Sequence, residues 1–307
     1  MSTIDYYGRQ LSSYKAAFHN HSTMSDGVFT PLEMIDMYSR HGYDIYAFTD
    51  HRRTNPVSSY DGRGMTLISG MEMHPRDEPN GVKWHFVALG VPEDMVFQKG
   101  LEPQVVVDSI NAAGGVAVCA HPYWCGLTSA QVNSIKGIVA IEGINTATRY
   151  IGRWDSRQLW NELCDAGRLL PAVAVDDSHH SEDLFMSWTN ILTDKPLSQQ
   201  VVIDALKAGD FYASQGPEIK RVSYVDGVFE AEFTPCTEVI GLSNLSSGYC
   251  AMCENMNGPQ DGIQEISSCQ LKLKTRPNGW FRLQLKDKNG RFAWTNPILV
   301  NANAGGK

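Results

Sequence analysis

The sequence predicts an α/β barrel followed by a small C-terminal β-sandwich-like domain, and two patterns carry this prediction. Between Tyr14 and Ala213, short apolar runs alternate with helical segments, as in proteins built from repeated strand–helix units. After residue 216 the helical pattern ends and polar and apolar residues alternate along short runs. We therefore expect a barrel domain over residues 1–215 and an all-β domain over residues 216–307.

The first region contains apolar runs of the length and composition that buried strands have. These runs cover residues 14–18, 43–48, 66–73, 84–89, 115–120, 137–144 and 169–175. The repeated alternation with helices fits either a parallel α/β barrel or a doubly wound open sheet.

Helices are predicted between several of these strands from their start and stop signals. The run Thr30-Pro31-Leu32-Glu33 is a capping box with proline in the first turn, and it opens a helix that extends to about residue 41. The segments 103–113, 155–166 and 196–208 each end at glycine, which is typical of a helix C-terminus.

The last region carries hairpin signals. Residues 222–225 and 228–233 flank Asp226-Gly227, a dipeptide typical of tight β-turns. Further strands are predicted at 237–242, 270–274, 280–285 and 292–294. A separate all-β domain follows from this pattern.

Composition narrows the class of protein. The chain has 307 residues, 42% hydrophobic and 20% charged, which is ordinary for a globular enzyme, and its net charge of -8 makes nucleic acid an improbable partner. No apolar run approaches the roughly 20 residues that span a bilayer, and no secretory signal is visible. Seven irregularly spaced cysteines suit reduced thiols. We expect a cytoplasmic protein with a small-molecule substrate.

Cysteines near the C-terminus leave one alternative open. Cys250 and Cys253 form a CxxC pair, with Cys236 and Cys269 on either side. Four thiolates could hold a structural zinc, but the loose spacing favours ordinary residues of a β-rich region.

Histidines and carboxylates are concentrated where the predicted strands begin or end. His19 and His21 are two residues apart at a strand end, so their rings point to one face, and Asp177 and His179 repeat this spacing. Glu72 lies inside an apolar strand, where an unpaired carboxylate would be costly and a cation is expected. Donors delivered from many strands to one end favour the barrel over the open sheet and predict a multinuclear metal site.

Other polar residues are candidates for catalysis or for substrate binding. His180 is a candidate acid, and Asp50, beside a candidate ligand, is expected to hold an imidazole in one tautomer. Substrate contacts are predicted for Arg52, Arg53, Asn145 and Arg149, since guanidinium groups match phosphate, although loop arginines are most often plain surface charges. His41 is expected at an exposed helix end, and His74 is a rival of His85 as a ligand.

The ordered motifs HNHSTMSDG, AFTDH, GMEMH followed by HFVALG, CAHPY and DDSHH resemble the PHP (polymerase and histidinol phosphatase) superfamily over roughly residues 14–215. The phrase AWTNPI after FYASQGPEI further resembles the two-domain CehA/McbA-like branch. This resemblance implies a distorted (β/α)7 barrel that holds two or three divalent transition-metal ions, Mn, Fe or Zn, beside a small β domain.

The resemblance also implies which residues bind which ion. It assigns one ion to His19, His21, Glu72 and Asp177, a second to Glu72, His85 and His121, and a third to Asp26, His51 and His179. Glu72 would bridge the first two ions. Some members of the family have histidine where this chain has Asp26. This difference bears on whether the third site is occupied and on which metal it holds.

Three functions follow as expectations. The first is a metal-dependent phosphoesterase that uses a metal-bound hydroxide on a small phosphate ester, such as a nucleotide or a sugar phosphate. The second is a CehA/McbA-like hydrolase of a carbamate, ester or amide bond. The third is a non-catalytic metal-binding regulatory module, against which the complete ligand set weighs. The sequence leaves the substrate and the oligomeric state open.

Overall fold

A computed structural model describes residues 2–253, 264–274 and 279–300. Its α-helices are α1 Pro31–Arg40, α2 Pro103–Ala112, α3 Pro122–Cys125, α4 Ser129–Ser134, α5 Arg157–Asp165 and α6 Gln199–Ala208. Its strands are β1 Ser2–Tyr6, β2 Arg9–Ala17, β3 Ile45–Ala47, β4 Thr66–Ile68, β5 Gly70–Met73, β6 Phe86–Leu89, β7 Val116–Cys119, β8 Ile138–Asn145, β9 Ala172–Val175, β10 Trp188–Thr193, β11 Phe211–Ser214, β12 Ile219–Val225, β13 Val228–Cys236, β14 Glu238–Ser243, β15 Gly248–Met252, β16 Ile266–Lys272, β17 Gly279–Lys286, β18 Phe292–Trp294 and β19 Ile298–Val300.

Local capping chemistry sets the helix boundaries. At the start of α1 the Glu33 amide donates to Thr30 Oγ1 at 3.3 Å and the Thr30 amide donates to Glu33 Oε2 at 2.7 Å, so the predicted capping box is confirmed. Helix α6 begins later than predicted because Ser198 Oγ, rather than a residue near Pro196, accepts the amide of Val201 at 3.2 Å.

The strands of the first region form a nearly closed, barrel-like ring, and the open-sheet alternative is not what the chain adopts. Strands β2, β3 and β4 pair in parallel in one sheet, and β5 to β9 form a second. Two isolated bridges join these sheets, His51 with Glu72 and Asn20 with Ser178. One junction therefore lies at two predicted site residues, and the other lies directly beside predicted ligands, His19 and His21 on one segment and Asp177 and His179 on the other.

One strand departs from the parallel arrangement. Strand β6 runs antiparallel to both β5 and β7, because the segment from β5 to β6 contains no crossover helix. Inside the ring, apolar side chains such as Ile45, Val118 and Val173 are fully buried, and α6 covers them with Ile203 and Leu206.

The strands after residue 216 continue the first sheet. Strand β12 pairs in parallel with β1, and β18 pairs antiparallel with β11. Their apolar faces enclose one core, in which Ile4 and Tyr6 pack with Val222, Phe281 and Leu283. As predicted, no described residue of this region is helical. In the part of the chain that the structure describes, no helix is long and apolar enough to cross a membrane.

Candidate metal centre

All of the predicted metal ligands gather at one end of the ring, around a cavity of about 640 Å³. Those that line the cavity are Asp26, His51, Glu72, His85, His121, Asp177 and His179. His19 and His21 lie against the same residues but are completely buried. The strand ends thus deliver every predicted donor to one place.

Backbone pairing between two chain segments positions the first group of donors. The His21 amide donates to the Ser178 carbonyl at 2.9 Å, and the Asp177 amide donates to the His19 carbonyl at 3.0 Å. The side chains converge in consequence: Asp177 Oδ1 lies 3.2 Å from His19 Nε2 and 3.1 Å from His21 Nε2. Asp177 adopts a left-handed φ of 53°, a strained conformation that aims its carboxylate at both rings.

Glu72 is the hub of the centre. Its Oε1 lies 2.7 Å from His85 Nδ1 and 3.0 Å from His121 Nε2, and its Oε2 lies 2.6 Å from His51 Nδ1 and 3.2 Å from His74 Nε2. Burial by itself would raise the pKa of Glu72, but His85 and the other imidazoles outweigh burial and hold the pKa well below its usual range. Glu72 is therefore an ionised carboxylate shared among several imidazoles.

Asp26 folds back over the third group, as its spacing from His21 suggested. Asp26 Oδ2 lies 3.2 Å from His51 Nε2, and Oδ1 lies 3.5 Å from His179 Nε2 and 3.7 Å from His21 Nδ1. The fold-back depends on Gly27, because a Cβ there would lie 2.3 Å from the His21 carbonyl oxygen. His21 consequently faces two groups of donors, one through each ring nitrogen.

The donor atoms fit divalent cations. His19 Nε2, His21 Nε2, His51 Nδ1 and Asp177 Oδ1 are buried and have no hydrogen-bond partner of suitable geometry. Such atoms are costly to bury unless a cation meets them. Two ligands about 2.1 Å from one ion, at angles of about 90–110°, lie about 3.0–3.4 Å apart. The separations of 3.1 and 3.2 Å around Asp177 match this spacing.

Two residues of the centre escaped the sequence reasoning. Glu142 is buried, its Oε1 lies 2.6 Å from His19 Nδ1, and its Oε2 accepts the amide of His121 at 2.8 Å. Cys125 places its sulfur 3.4 Å from His121 Nδ1. A signal for Glu142 was present, because it lies within an apolar strand as Glu72 does.

Asp50 holds a loop in place. Its carboxylate accepts the Ser22 amide at 2.8 Å, the Ser25 hydroxyl at 2.7 Å and the Asn55 side-chain amide at 2.6 Å. These bonds fix the turn that follows His21, so Asp50 contributes to the centre through that turn. The contact expected of it, a carboxylate on the free nitrogen of a ligand imidazole, is made by Glu142.

The predicted substrate contacts divide into two groups. Arg52 and His180 line the cavity, and buried Asn145 donates to Asp177 Oδ2 at 3.0 Å. Arg53 instead donates to the Met24 carbonyl at 3.1 Å. Arg149 donates to Asp183 at 3.0 Å and lines a neighbouring cavity.

The cavity mouth also carries apolar residues, of which Tyr150 and Ile151 were not predicted. The short segment after β8 places Tyr150 and Ile151 at the cavity mouth, where they are 64% and 61% exposed. Trp124 contributes a further aromatic ring beside His121, at 5.0 Å between ring centroids. Lys83 Nζ lies 5.4 Å from the centroid of the Trp124 ring, so apolar and basic residues both line the cavity.

No family model matches the chain. Two curated relatives do. A phosphoribosyl 1,2-cyclic phosphate 1,2-diphosphodiesterase of Eggerthella lenta is 33% identical over 79 residues, 24% of this chain and 30% of the relative. An uncharacterised protein of Methanocaldococcus jannaschii is 26% identical over 98 residues, 32% of this chain and 55% of the relative. The chain thus spans about a third to about half of the length of the curated relatives it matches.

The fold has a counterpart among solved structures. A two-domain protein of Bacteroides vulgatus that contains a predicted PHP-like metal-dependent phosphoesterase superposes with a TM-score of 0.51 at 17% identity, covering 94% of this chain and 88% of that one. The likeness extends over both the barrel-like ring and the strands that follow it. The chain therefore has the PHP-like fold.

Proposed function

We propose that the chain is a metal-dependent hydrolase, and specifically a phosphoesterase that acts on a small phosphate ester. The observation that carries the proposal is the set of buried, unpartnered imidazole and carboxylate atoms around Glu72, which fits divalent cations. The diphosphodiesterase name of one curated relative supports the choice of phosphate esters. Two or three divalent ions, Mn, Fe or Zn, are part of this proposal.

The residues that would hold these ions are the groups predicted from the sequence. They are His19, His21, Glu72 and Asp177; Glu72, His85 and His121; and Asp26, His51 and His179. When bound, divalent ions would act as Lewis acids on a phosphoryl oxygen and lower the pKa of water. Burial lowers the pKa of His85 to about 4, which keeps this imidazole in the neutral form that binds metals.

Residues around the donors have supporting roles in the proposed reaction. Glu142 orients His19, and Asn145 holds Asp177, so the donor set keeps its shape as substrate arrives. Arg52 binds the phosphate from the cavity wall. His180, exposed at the rim, donates a proton to the leaving group.

The proposal includes the organisation of the chain. We infer a distorted (β/α)7 barrel over residues 1–215 and an all-β C-terminal domain over 216–307, as in the two-domain CehA/McbA-like branch. This division is supported by the crossover helices α1, α2 and α5 around the ring and by the strands, without helices, that the described residues after 216 form. The C-terminal domain would be structural or would shape the substrate site, without supplying metal ligands, because residues 216–307 contain no histidine.

A substrate panel tests the function. The protein, purified without chelator, would be assayed on p-nitrophenyl phosphate, its diester, sugar phosphates and nucleotides, and on carboxyl esters and carbamates, after supplementation with Mn²⁺, Fe²⁺ or Zn²⁺. We expect hydrolysis of phosphate esters that a chelator abolishes and metal restores. Hydrolysis of carboxyl esters or carbamates alone would move the function to the CehA/McbA-like alternative. Metal binding without any hydrolysis would favour the regulatory module.

Glu72 provides the sharpest variant. Glu72→Gln keeps the shape of the side chain but removes the charge that several imidazoles share, so we expect activity to fall by about 100-fold or more and metal content to decrease. Glu162→Gln, on the exposed face of α5, is the matched control and should leave both unchanged. Steady-state kinetics and elemental analysis measure the two effects. An active Glu72→Gln enzyme with normal metal content would contradict the central role of this carboxylate.

A further inference from the structure

We propose that the site contains a second anion-binding subsite, which selects phosphate esters that carry a second anionic group, either a phosphate or a carboxylate. This inference rests on the proposed function for the reacting group, whereas the subsite itself rests on a separate cavity. That cavity has a volume of about 350 Å³ and lies beside the metal centre. Its walls are Arg52, His74, Pro75, Asp77, Lys83, His85, Lys99 and Gly100.

The second cavity is continuous with the first. Arg52, His74, Lys83 and His85 line both. A small molecule whose phosphate lies among the metal ligands near Glu72 can therefore extend past His85 into the second cavity. The subsite would hold a part of the substrate that does not react.

The second cavity is lined mainly by positively charged side chains, although the chain as a whole is negatively charged. Arg52, Lys83 and Lys99 supply three cations against the single carboxylate of Asp77, in a protein whose net charge is -8. Among the described residues, none of these three cations has a carboxylate within 4.0 Å. Lys83 Nζ instead lies 5.4 Å from the centroid of the Trp124 ring. Unneutralised cations converging on one cavity attract an anion.

Arg52 is fixed at the boundary between the two cavities. Its left-handed φ of 58° is held by a hydrogen bond that its backbone amide donates to the Glu72 carbonyl at 2.9 Å. Its Nη2 donates to His74 Nδ1 at 2.8 Å, and His74 Nε2 in turn lies 3.2 Å from Glu72 Oε2. The His74 ring also stacks on His85, with centroids 3.8 Å apart and an angle of 6° between the planes.

These contacts give His74 a supporting role beside the metal centre. His74 Nδ1 accepts the hydrogen bond from Arg52, and His74 Nε2 faces Glu72. His74 is then a positioning residue, which aims the guanidinium. A guanidinium oriented in advance loses less side-chain entropy when it binds an anion than a free one does.

The apolar and basic residues of the two cavities separate substrate classes. Tyr150 and Ile151 line the first cavity and offer apolar contact, whereas Lys99 lines the second cavity and Lys83 lines both, and these two offer charge. A neutral leaving group gains nothing from the two lysines, whereas a second anionic group does. The subsite therefore raises kcat/KM for doubly anionic substrates relative to simple monoesters.

Matched substrates test the subsite. Short alkane-α,ω-diol bisphosphates, lengthened one methylene at a time, would be compared with the corresponding ω-hydroxy and ω-carboxy monophosphates, using the metal-loaded protein and measuring phosphate release. For the best spacer we expect kcat/KM to exceed that of the ω-hydroxy compound by about tenfold or more. The carboxylate arm shows which anion the subsite prefers.

Variants connect that preference to the lysines. In the double variant Lys83→Gln, Lys99→Gln we expect the preference to disappear while kcat/KM for the ω-hydroxy monophosphate stays within about twofold, because charge is removed without changing the metal ligands. Lys83→Arg with Lys99→Arg should restore it. Lys207→Gln, exposed on α6, is the matched control. A preference that survives in the double variant, or no preference in the wild-type protein for any spacer, would overturn the subsite.

Failure of the proposed function can be distinguished from failure of the subsite. If no phosphate ester is hydrolysed, including p-nitrophenyl phosphate, calorimetric titration of the same bisphosphates and monophosphates still measures the subsite. Tighter binding of the bisphosphate that depends on Lys83 and Lys99 would then support the subsite without the activity. Equal dissociation constants for wild type and double variant would overturn it.

Discussion

At the scale of single residues, the sequence reveals most of the donor side chains but not which of them contact one another. Glu72 could be predicted because a carboxylate inside an apolar strand requires a cation, and the same reasoning applies to Glu142. The sequence could not show which donor side chain each of these carboxylates contacts. The contact of Glu142 with His19 joins residues 123 positions apart, and only the closed ring brings them together.

Glu142 is expected to affect metal binding without being among the proposed ligands. Glu142→Gln keeps an oxygen for one hydrogen bond but removes the charge that orients His19, so we expect metal affinity to fall by about 10–100-fold. Competition with a fluorescent chelator measures this affinity, and circular dichroism confirms that the variant is folded. Glu162→Gln serves again as the control, and an unchanged affinity would show that Glu142 does not orient the imidazole.

At the scale of elements, local chemistry predicts where several helices begin and end, although α3 and α4 were not predicted and α4 has a capping box of its own at Thr128. The capping box at Thr30 and the glycine after α6 determine where these helices begin and end, since both act through neighbours in sequence. Strands β1 and β10 were not predicted: β1 forms a tight hairpin with the adjacent β2, but its second partner β12, and the partner β2 of β10, lie far away in the sequence. Strand β1 lies between β2 and β12, and β10 lies between β2 and β11.

One side chain, Asp176, holds the segment after β9 in place. Asp176 Oδ1 accepts the amides of Met186 and Ser187 at 2.9 and 2.8 Å, and Oδ2 accepts the Phe185 amide at 2.7 Å and the Tyr38 hydroxyl at 2.9 Å. This carboxylate thereby closes the loop that carries His179 and His180. Sequence reasoning preferred the neighbouring Asp177 as a direct ligand and left Asp176 without a role.

Asp176→Asn tests this closure. Asparagine would turn an NH₂ group toward some of the N–H and O–H groups that now donate hydrogen bonds to Asp176. Because those hydrogen bonds would be lost, we expect the free energy of unfolding to fall by about 1–3 kcal/mol. Amide hydrogen exchange should rise most at residues 185–187. Asp108→Asn, exposed on α2, is the matched control. Unchanged exchange in this loop would mean that its closure does not depend on the carboxylate.

At the scale of the whole molecule, the barrel-like ring could be predicted but its junction with the later strands could not. The change of pattern at residue 216 is confirmed within 216–253, 264–274 and 279–300, where the structure has no helix. It does not reveal that β12 adds to β1, because parallel pairing between residues more than 200 positions apart has no local signal. The same holds for α5 and β17, which meet around a buried arginine.

Arg282 on β17 lies at that meeting point and is fully buried. Its guanidinium carbon lies 3.9 Å from the centroid of Trp160 on α5 and 5.3 Å from that of Trp280, and its nitrogens have no hydrogen-bond partner of good geometry. Burial lowers the pKa of Arg282 to about 10. The interface therefore gains packing and cation–π attraction at the cost of desolvating a charge.

Two substitutions of Arg282 separate the contribution of packing from that of the charge. Arg282→Ala leaves a cavity between two tryptophans, so we expect the free energy of unfolding to fall by about 2–4 kcal/mol. Arg282→Met fills most of the volume without a charge, so we expect a change of less than about 1 kcal/mol in either direction. Urea denaturation measures both, with metal content determined for each variant so that a loss of ligands is not mistaken for a loss of packing. If methionine destabilises as much as alanine, the guanidinium itself holds α5 against β17, and cation–π attraction exceeds the desolvation cost.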